Sequence, residues 1–477
     1  MRSCLLLALL CFLPALSAAA AEPARAKDRA DARLGTPRNL RDAYHPWSPP
    51  ATAAAWSTEK EAIRRRILVS QGLWPMPPRP EIEASTHGKI DRDGYTIEQV
   101  YFASHPGHYV TGNLYRPKGR TGKLPGVLCP HGHWANGRFY EADDAKQKEQ
   151  LDKEAEQTEA GARYPVQARM VQLARMGYVV FHYDMVGYAD SRQIAHRAGF
   201  TDAAAGLWLQ NFMGLQTFNS IRALDFLVSL PDVDPERIGV TGSSGGGTQT
   251  FMLCAVDPRP AVAFPAVMVS TGMQGGCVCE NASYLRIGLN NVALAAVFAP
   301  KPMAMSGADD WTVAIETRGL PELKQVYGFS NQASLVEAKA YPQFKHNYNQ
   351  VAREMMYAWF HEHLSPDMEQ PLTEEPFKPV PPAELSVFDD SHKLPTDAVD
   401  ATGLRKYLTE VSQRQFAAAL PKSKDDVAGY AELVRPALQV MLDASVPARD
   451  DILANVQTKP WNGLRLTRGT ISHVGEG

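Results

Sequence analysis

Ser244 occupies the centre of Gly242-Ser243-Ser244-Gly245-Gly246, a G-x-S-x-G run that suits a serine nucleophile. The run follows the apolar, strand-like Arg237-Ile238-Gly239-Val240 and leads into the helix-like stretch Thr248 to Ala255. That order predicts a sharp strand-to-helix elbow. Gly242 and Gly246 have no Cβ to collide where the backbone folds back, and the central hydroxyl is held out from the sheet edge. A serine hydroxyl is protonated at neutral pH, so attack on a carbonyl needs an imidazole to take its proton and later return it. The imidazole in turn needs a carboxylate to fix its tautomer and to stabilise the imidazolium.

Both partners are expected downstream. Ala299 to Ser306 reads as a short buried strand, and the loop after it offers Asp310 within Gly307-Ala308-Asp309-Asp310-Trp311-Thr312-Val313. Ala338 to Tyr341 is strand-like, His346 lies in the next loop, and Tyr348 to Leu364 has helical apolar spacing. The order serine, acid, histidine is the one this kind of elbow uses. Asp309 and Glu280 are the competing carboxylates. For the oxyanion of the tetrahedral intermediate, the backbone N–H of Gly245 is one expected donor. The second is expected from the loop after the apolar strand Pro125 to Pro130, namely His131-Gly132-His133-Trp134, with His133 favoured and Trp134 as the other choice. Trp134, Trp208 and Trp311 are candidates for stacking on a sugar ring, and Glu280 is a further candidate substrate contact.

The elements between these signals alternate. A helix is predicted from Tyr164 to Met176, a strand from Tyr178 to Tyr183, a long helix ending at Leu230, and a strand from Ala261 to Ser270. Alternation of this kind implies an α/β fold with a doubly wound, mainly parallel sheet whose ligands bind at the strands' C-terminal edge.

The run Asp234 to Gly246, with His131-Gly132, Gly307 to Asp310 and His346, resembles the secreted acetyl xylan esterase and dienelactone hydrolase-like branch of the α/β-hydrolases. The likeness covers roughly residues 88 to 365. It implies the α/β-hydrolase fold and serine hydrolase chemistry. The His-Gly-Gly-Gly form of the oxyanion loop is absent.

Of the six cysteines, Cys4 and Cys11 fall within the N-terminal stretch Met1 to Ala21. Cys129 and Cys254 lie on apolar elements and read as small core hydrophobes. Cys277 and Cys279 precede Glu280 closely, but no further Cys or His stands at short spacing, so neither a metal nor a cofactor is expected. A disulfide involving one of the pair, its partner left open among Cys129, Cys254, Cys277 and Cys279, is permitted in an oxidising compartment.

Arg2, the apolar run Leu5 to Leu16 and the small residues Ser17 to Ala21 read as a signal peptide cleaved near Ala20 or Ala21. The expected destination is the periplasm or the exterior, with no stable membrane insertion after cleavage. Residues 22–87 read as an arm with a helix from Ser57 to Leu73, residues 88–365 as the catalytic domain, and residues 366–477 as a linker and C-terminal extension. Glu141 to Ala160 is charged almost throughout and reads as a solvated helix, with a cap over the active site as the sharper alternative. Pro371 to Pro382 reads as a linker, Leu404 to Ala418 and Val427 to Ala444 as helices, and Trp461 to Ile471 as a strand of undecided partner. The net charge of −3 carries no nucleic-acid footprint.

The expected function is a serine carboxylic-ester hydrolase acting on an ester-decorated polysaccharide or oligosaccharide. The alternatives are a serine peptidase of the prolyl-oligopeptidase-like kind and an inactive hydrolase-like binding protein. A propeller of four or more blades does not fit before residue 88.

Overall fold

A computed structural model describes residues 44–369, 371–442, 450 and 452–473. The signal peptide and residues 22–43 of the arm lie outside the described residues. Nine strands form one sheet: β1 (Ser85–Arg92), β2 (Tyr95–His105), β3 (His108–Pro117), β4 (Leu124–Leu128), β5 (Val179–Tyr183), β6 (Val233–Ser243), β7 (Val262–Ala266), β8 (Met303–Ala308) and β9 (Val336–Tyr341). Their order is β1-β2-β3-β5-β4-β6-β7-β8-β9. The first three pair antiparallel and β3 pairs antiparallel with β5, while β5, β4, β6, β7, β8 and β9 run parallel to one another.

Strands β4, β5, β7 and β8 are buried at every position, as expected for parallel strands covered by helices on both faces. One core face gathers Phe181, Leu224, Ile238, Val240, Phe251 and Met303; the other gathers Val127, Met170, Val180, Phe264, Met356 and Phe360. The helices Pro165–Arg175, Phe212–Ser229, Gly245–Val256 and Gln350–Leu364 cover these faces.

The antiparallel strands β1 to β3 had no counterpart in the sequence reading. The helix of the arm runs Ala53–Ser70 and packs on the body: Trp56, Ile63 and Ile67 are buried, Lys60 Nζ donates to Ala299 O at 2.5 Å, and Arg64 Nε donates to Ala255 O at 3.0 Å. The proline-rich segment is not a free linker. Val380, Leu385 and Val387 are buried, Gln167 exchanges two hydrogen bonds with the backbone of Val380, and Asn113 Nδ2 donates to Leu385 O. The C-terminal strand is one half of a hairpin, β10 (Ile452–Trp461) with β11 (Leu464–His473), closed by Asn462-Gly463 with both residues at positive φ. It forms its own two-stranded sheet rather than joining the main one.

Candidate active site

The loops leaving β6, β8 and β9 carry Ser244, Asp310 and His346, so three consecutive sequence signals emerge at one edge of the sheet. Ser244 has φ 56° and ψ −125°, a strained conformation for a residue with a Cβ, and it begins the helix Gly245–Val256. The close approach of β4 makes the flanking glycines necessary: a Cβ on Gly242 would lie 2.4 Å from Pro130 O, and one on Gly246 2.5 Å from the same oxygen. Ser243 is buried with no partner for its hydroxyl, whereas Ser244 is half-buried.

His346 Nδ1 lies 2.7 Å from Asp310 Oδ2. With that N–H donating to the carboxylate, Nε2 carries the lone pair. The other oxygen of Asp310 accepts from Thr312 N at 2.6 Å and Thr312 Oγ1 at 2.5 Å, and Thr312 Oγ1 accepts from Ala308 N. The carboxylate is thus buried and held at both oxygens. Trp311 packs on the imidazole, ring centres 4.6 Å apart, and its backbone carbonyl accepts from Ser270 Oγ. Asp309 N donates to Phe344 O at 2.8 Å, tying the acid loop to the histidine loop, while its carboxylate pairs with Lys345. Of the three competing carboxylates, Asp310 is the one that meets His346.

The loop after β4, where the second oxyanion donor is expected, is fixed by His131, named in the sequence only as part of that loop, and by Arg138, which no sequence pattern marked. His131 is fully buried, with Nε2 accepting from Met185 N at 3.0 Å and Nδ1 at 2.9 Å from Gly132 O. Burial pushes its pKa down to about 3, so it is neutral. Arg138, also buried, donates to Asp184 and Asp190 and ties this loop to the one after β5. His133 lies beside the elbow: a Cβ on Gly245 would come within 2.7 Å of its Cε1, and one on Gly132 within 2.9 Å of Ser244 Cβ.

The structure corrects the assignment of Glu280 as a substrate contact. It is 3% exposed, and Oε2 accepts from Gly276 N at 2.8 Å and Cys277 N at 3.1 Å. Oε1 stands 3.7 Å from His133 Nδ1. Burial raises its pKa, against the pull of those two N–H donors. The ground for expecting no metal also fails, because the nearby ligands come from distant segments: His133, His196, Cys277 and Cys279 bring their donor atoms within 4.8 Å of one another. The Cys277 thiol is drawn down to about 3, chiefly by the hydrogen bond from Cys279, whose own thiol is pushed up by the same contact.

A cleft of about 170 Å³ is lined by Trp134, Lys146, Glu156, Arg169, Ser243 and His346. The charged segment therefore serves both readings: the helix Asp144–Asp152 has no buried residue, yet Lys146 and Gln150 wall the cleft. Trp208 lines a different hollow with His105 and Phe218 and does not reach this one. Arg169 is 2% exposed, its guanidinium lies 4.8 Å from the Tyr348 ring centre, and Nε and Nη2 have no partner among the described residues. Glu156, by contrast, is held by Arg353, Nη1 to Oε1 at 2.8 Å and Nη2 to Oε2 at 2.7 Å. No sequence pattern marks Arg169 or Glu156.

The family model described as X-Pro dipeptidyl-peptidase (S15 family) matches residues 107–301. "Putative hydrolase YtaP" of Bacillus subtilis (strain 168) is 26% identical over 196 residues, 41% of this chain and 60% of that protein. The match thus spans about three fifths of that relative's length. The solved structure "Methylesterase BT1017" superposes with a TM-score of 0.61 at 27% identity, covering 77% of this chain and 78% of that one. Among the described residues no helix is long and apolar enough to cross a membrane. Six parallel strands with an elbow at the end of β6, together with this likeness over three quarters of the chain, give the protein the α/β-hydrolase fold.

Proposed function

We propose that the protein is a serine carboxylic-ester hydrolase that removes small ester groups from polysaccharide or oligosaccharide. The observation that carries the reading is the His346–Asp310 pair at 2.7 Å, on the same sheet edge as the strained Ser244 turn. Ser244 attacks the ester carbonyl while His346 Nε2 takes its proton. The alcohol leaves with that proton, and water repeats the sequence on the acyl-enzyme. The N–H groups of Gly245 and His133 receive the developing oxyanion. Asp310 holds the imidazole, and Trp134 offers a face to the substrate.

Arg169 gives the cleft a positive pole, with Lys146 at its wall, and this favours a sugar carrying a carboxylate or its methyl ester. The likeness to a methylesterase supports the same refinement. We assign the enzyme to the periplasm or exterior on the Met1 to Ala21 pattern.

The family match favours a second reading, an X-Pro dipeptidyl-peptidase. Such an enzyme must bind a peptide ammonium group. The acidic group at the cleft, Glu156, is engaged by Arg353, and the other charges there are Arg169 and Lys146. Incubation with acetylated and methyl-esterified polysaccharides, with acetate and methanol measured separately, tests the proposal alongside an Xaa-Pro chromogenic peptide. Release of acetate or methanol is expected; turnover of the peptide alone would replace the esterase reading with the peptidase.

A further inference from the structure

The triad loops leave β6, β8 and β9. The loops from the three remaining parallel strands bring together a second group of side chains: His133 after β4, His196 after β5, and Cys277 and Cys279 after β7. Cys277 and Cys279 are buried, and the two histidines are half-buried.

We propose that His133, His196, Cys277 and Cys279 bind one zinc ion that pins the oxyanion loop against the nucleophile turn. Zinc takes thiolate sulfur at about 2.3 Å and imidazole nitrogen at about 2.0–2.1 Å in a tetrahedron, which sets each N···S edge near ~3.6 Å. His196 Nε2 lies 3.3 Å from Cys277 Sγ and 3.5 Å from Cys279 Sγ. His133 Nε2 lies 2.7 Å from Cys279 Sγ, a pair that would widen by about 0.9 Å on zinc entry. A two-sulfur, two-nitrogen set suits zinc over the oxygen-seeking cations.

The surroundings are shaped for ligation. His196 Nδ1–H donates to Val186 O at 2.8 Å, which turns the bare Nε2 toward the sulfurs. His133 Nδ1 faces Glu280 Oε1 at 3.7 Å, a carboxylate placed to orient a metal-bound imidazole. The cysteine loop is held by bonds that do not involve sulfur: Glu280 Oε2 accepts from the amides of Gly276 and Cys277, and Asn281 Nδ2 donates to Gly275 O and Cys277 O. Arg286 braces Asn281 Oδ1 and Glu280 O in turn. Arg197 also contacts the Cys277 thiol. Four protein ligands leave no open position, so the ion positions the loop and takes no step in hydrolysis. Its consequence for the active site runs through His133, whose ring abuts Gly245.

The test is metal content of the full chain purified under reducing conditions without chelator, read by inductively coupled plasma mass spectrometry. About one zinc per chain is expected. Cys279→Ser and His196→Ala should each reduce it to background while circular dichroism stays that of wild type. Cobalt substitution of the wild-type chain should give thiolate-to-metal charge-transfer absorption in the near ultraviolet, which serves if a variant does not fold. Protein whose thiols are reduced by mass, incubated with zinc and desalted, that holds no zinc would overturn the proposal. So would a Cys277–Cys279 disulfide found by peptide mapping of the secreted protein without metal. Neither readout depends on ester turnover, so failure here leaves the esterase reading standing.

Discussion

Tyr348 Oη lies 2.7 Å from Thr241 Oγ1, which joins the loop carrying His346 to the strand that leads into Ser244. Tyr348 follows His346 by two residues and Thr241 precedes Ser244 by three. The Tyr348 ring also stacks on Phe264, interplanar angle 3°. Tyr348→Phe keeps the stacking and removes the bond, while Thr241 Oγ1 retains its acceptor at Phe264 O. The expected loss is about 1 kcal/mol in stability, with a reduced kcat from a looser His346. An unchanged urea midpoint together with unchanged turnover would remove this positioning role.

Ser244→Ala should lower turnover by on the order of 10⁴–10⁶, leaving the contribution of binding and the oxyanion donors. Ser243→Ala should retain most activity, because the Ser243 hydroxyl is buried. Hydrolysis of p-nitrophenyl acetate by the two variants measures the contrast; equal rates in wild type and Ser244→Ala would end the serine mechanism.

Asp310→Asn should keep the fold and cost on the order of 10⁴ in kcat, since an amide in that position favours the wrong imidazole tautomer. Asp309→Asn should cost far less, because the Asp309 carboxylate pairs with Lys345 and not with His346. The reverse ranking, in variants with matching circular dichroism, would move the acid to Asp309.

His105, His108 and His182 are fully buried, and burial pushes each pKa down, to about 4 for His108. The unfolded chain binds their protons below about pH 6.5 while the folded chain does not, so stability should fall with acidification at about 1.4 kcal/mol per pH unit for each group. The loss begins near pH 6.5 and for His108 continues to about pH 4. Urea midpoints measured from pH 7.5 to 5.5 should decline; a flat profile would contradict neutral burial.

Arg169→Lys should raise KM on an acidic or methyl-esterified sugar substrate and leave p-nitrophenyl acetate hydrolysis near wild type, because a lysine keeps the charge but loses the planar fork. Equal effects on both substrates would mean that Arg169 supports the fold instead of reading the substrate.

What the chain determined locally was the parallel core and the positions of Ser244, Asp310 and His346, each placed on a loop after a recognisable apolar strand. Periodicity and turn chemistry act over a few residues, and these signals are of that range. Even so, one local signal went unread: Asn462-Gly463 marks a hairpin turn, and β10 pairs there with the strand left without a partner. The cleft and the sulfur–imidazole cluster belong to the tertiary structure. His133 and Cys279 stand 146 residues apart in the chain yet 2.7 Å apart in space. Arg169 on the helix Pro165–Arg175 meets the Tyr348 ring, on the loop after β9, across 179 residues of chain. The strand order decides these meetings, since every parallel strand delivers its following loop to the same sheet edge while the chain between strands crosses a face. The physical reason that spacing along the chain misled on the metal is the same: ligand proximity is fixed by which strands are neighbours, and β5-β4-β6-β7 set His196, His133 and the two cysteines around the elbow.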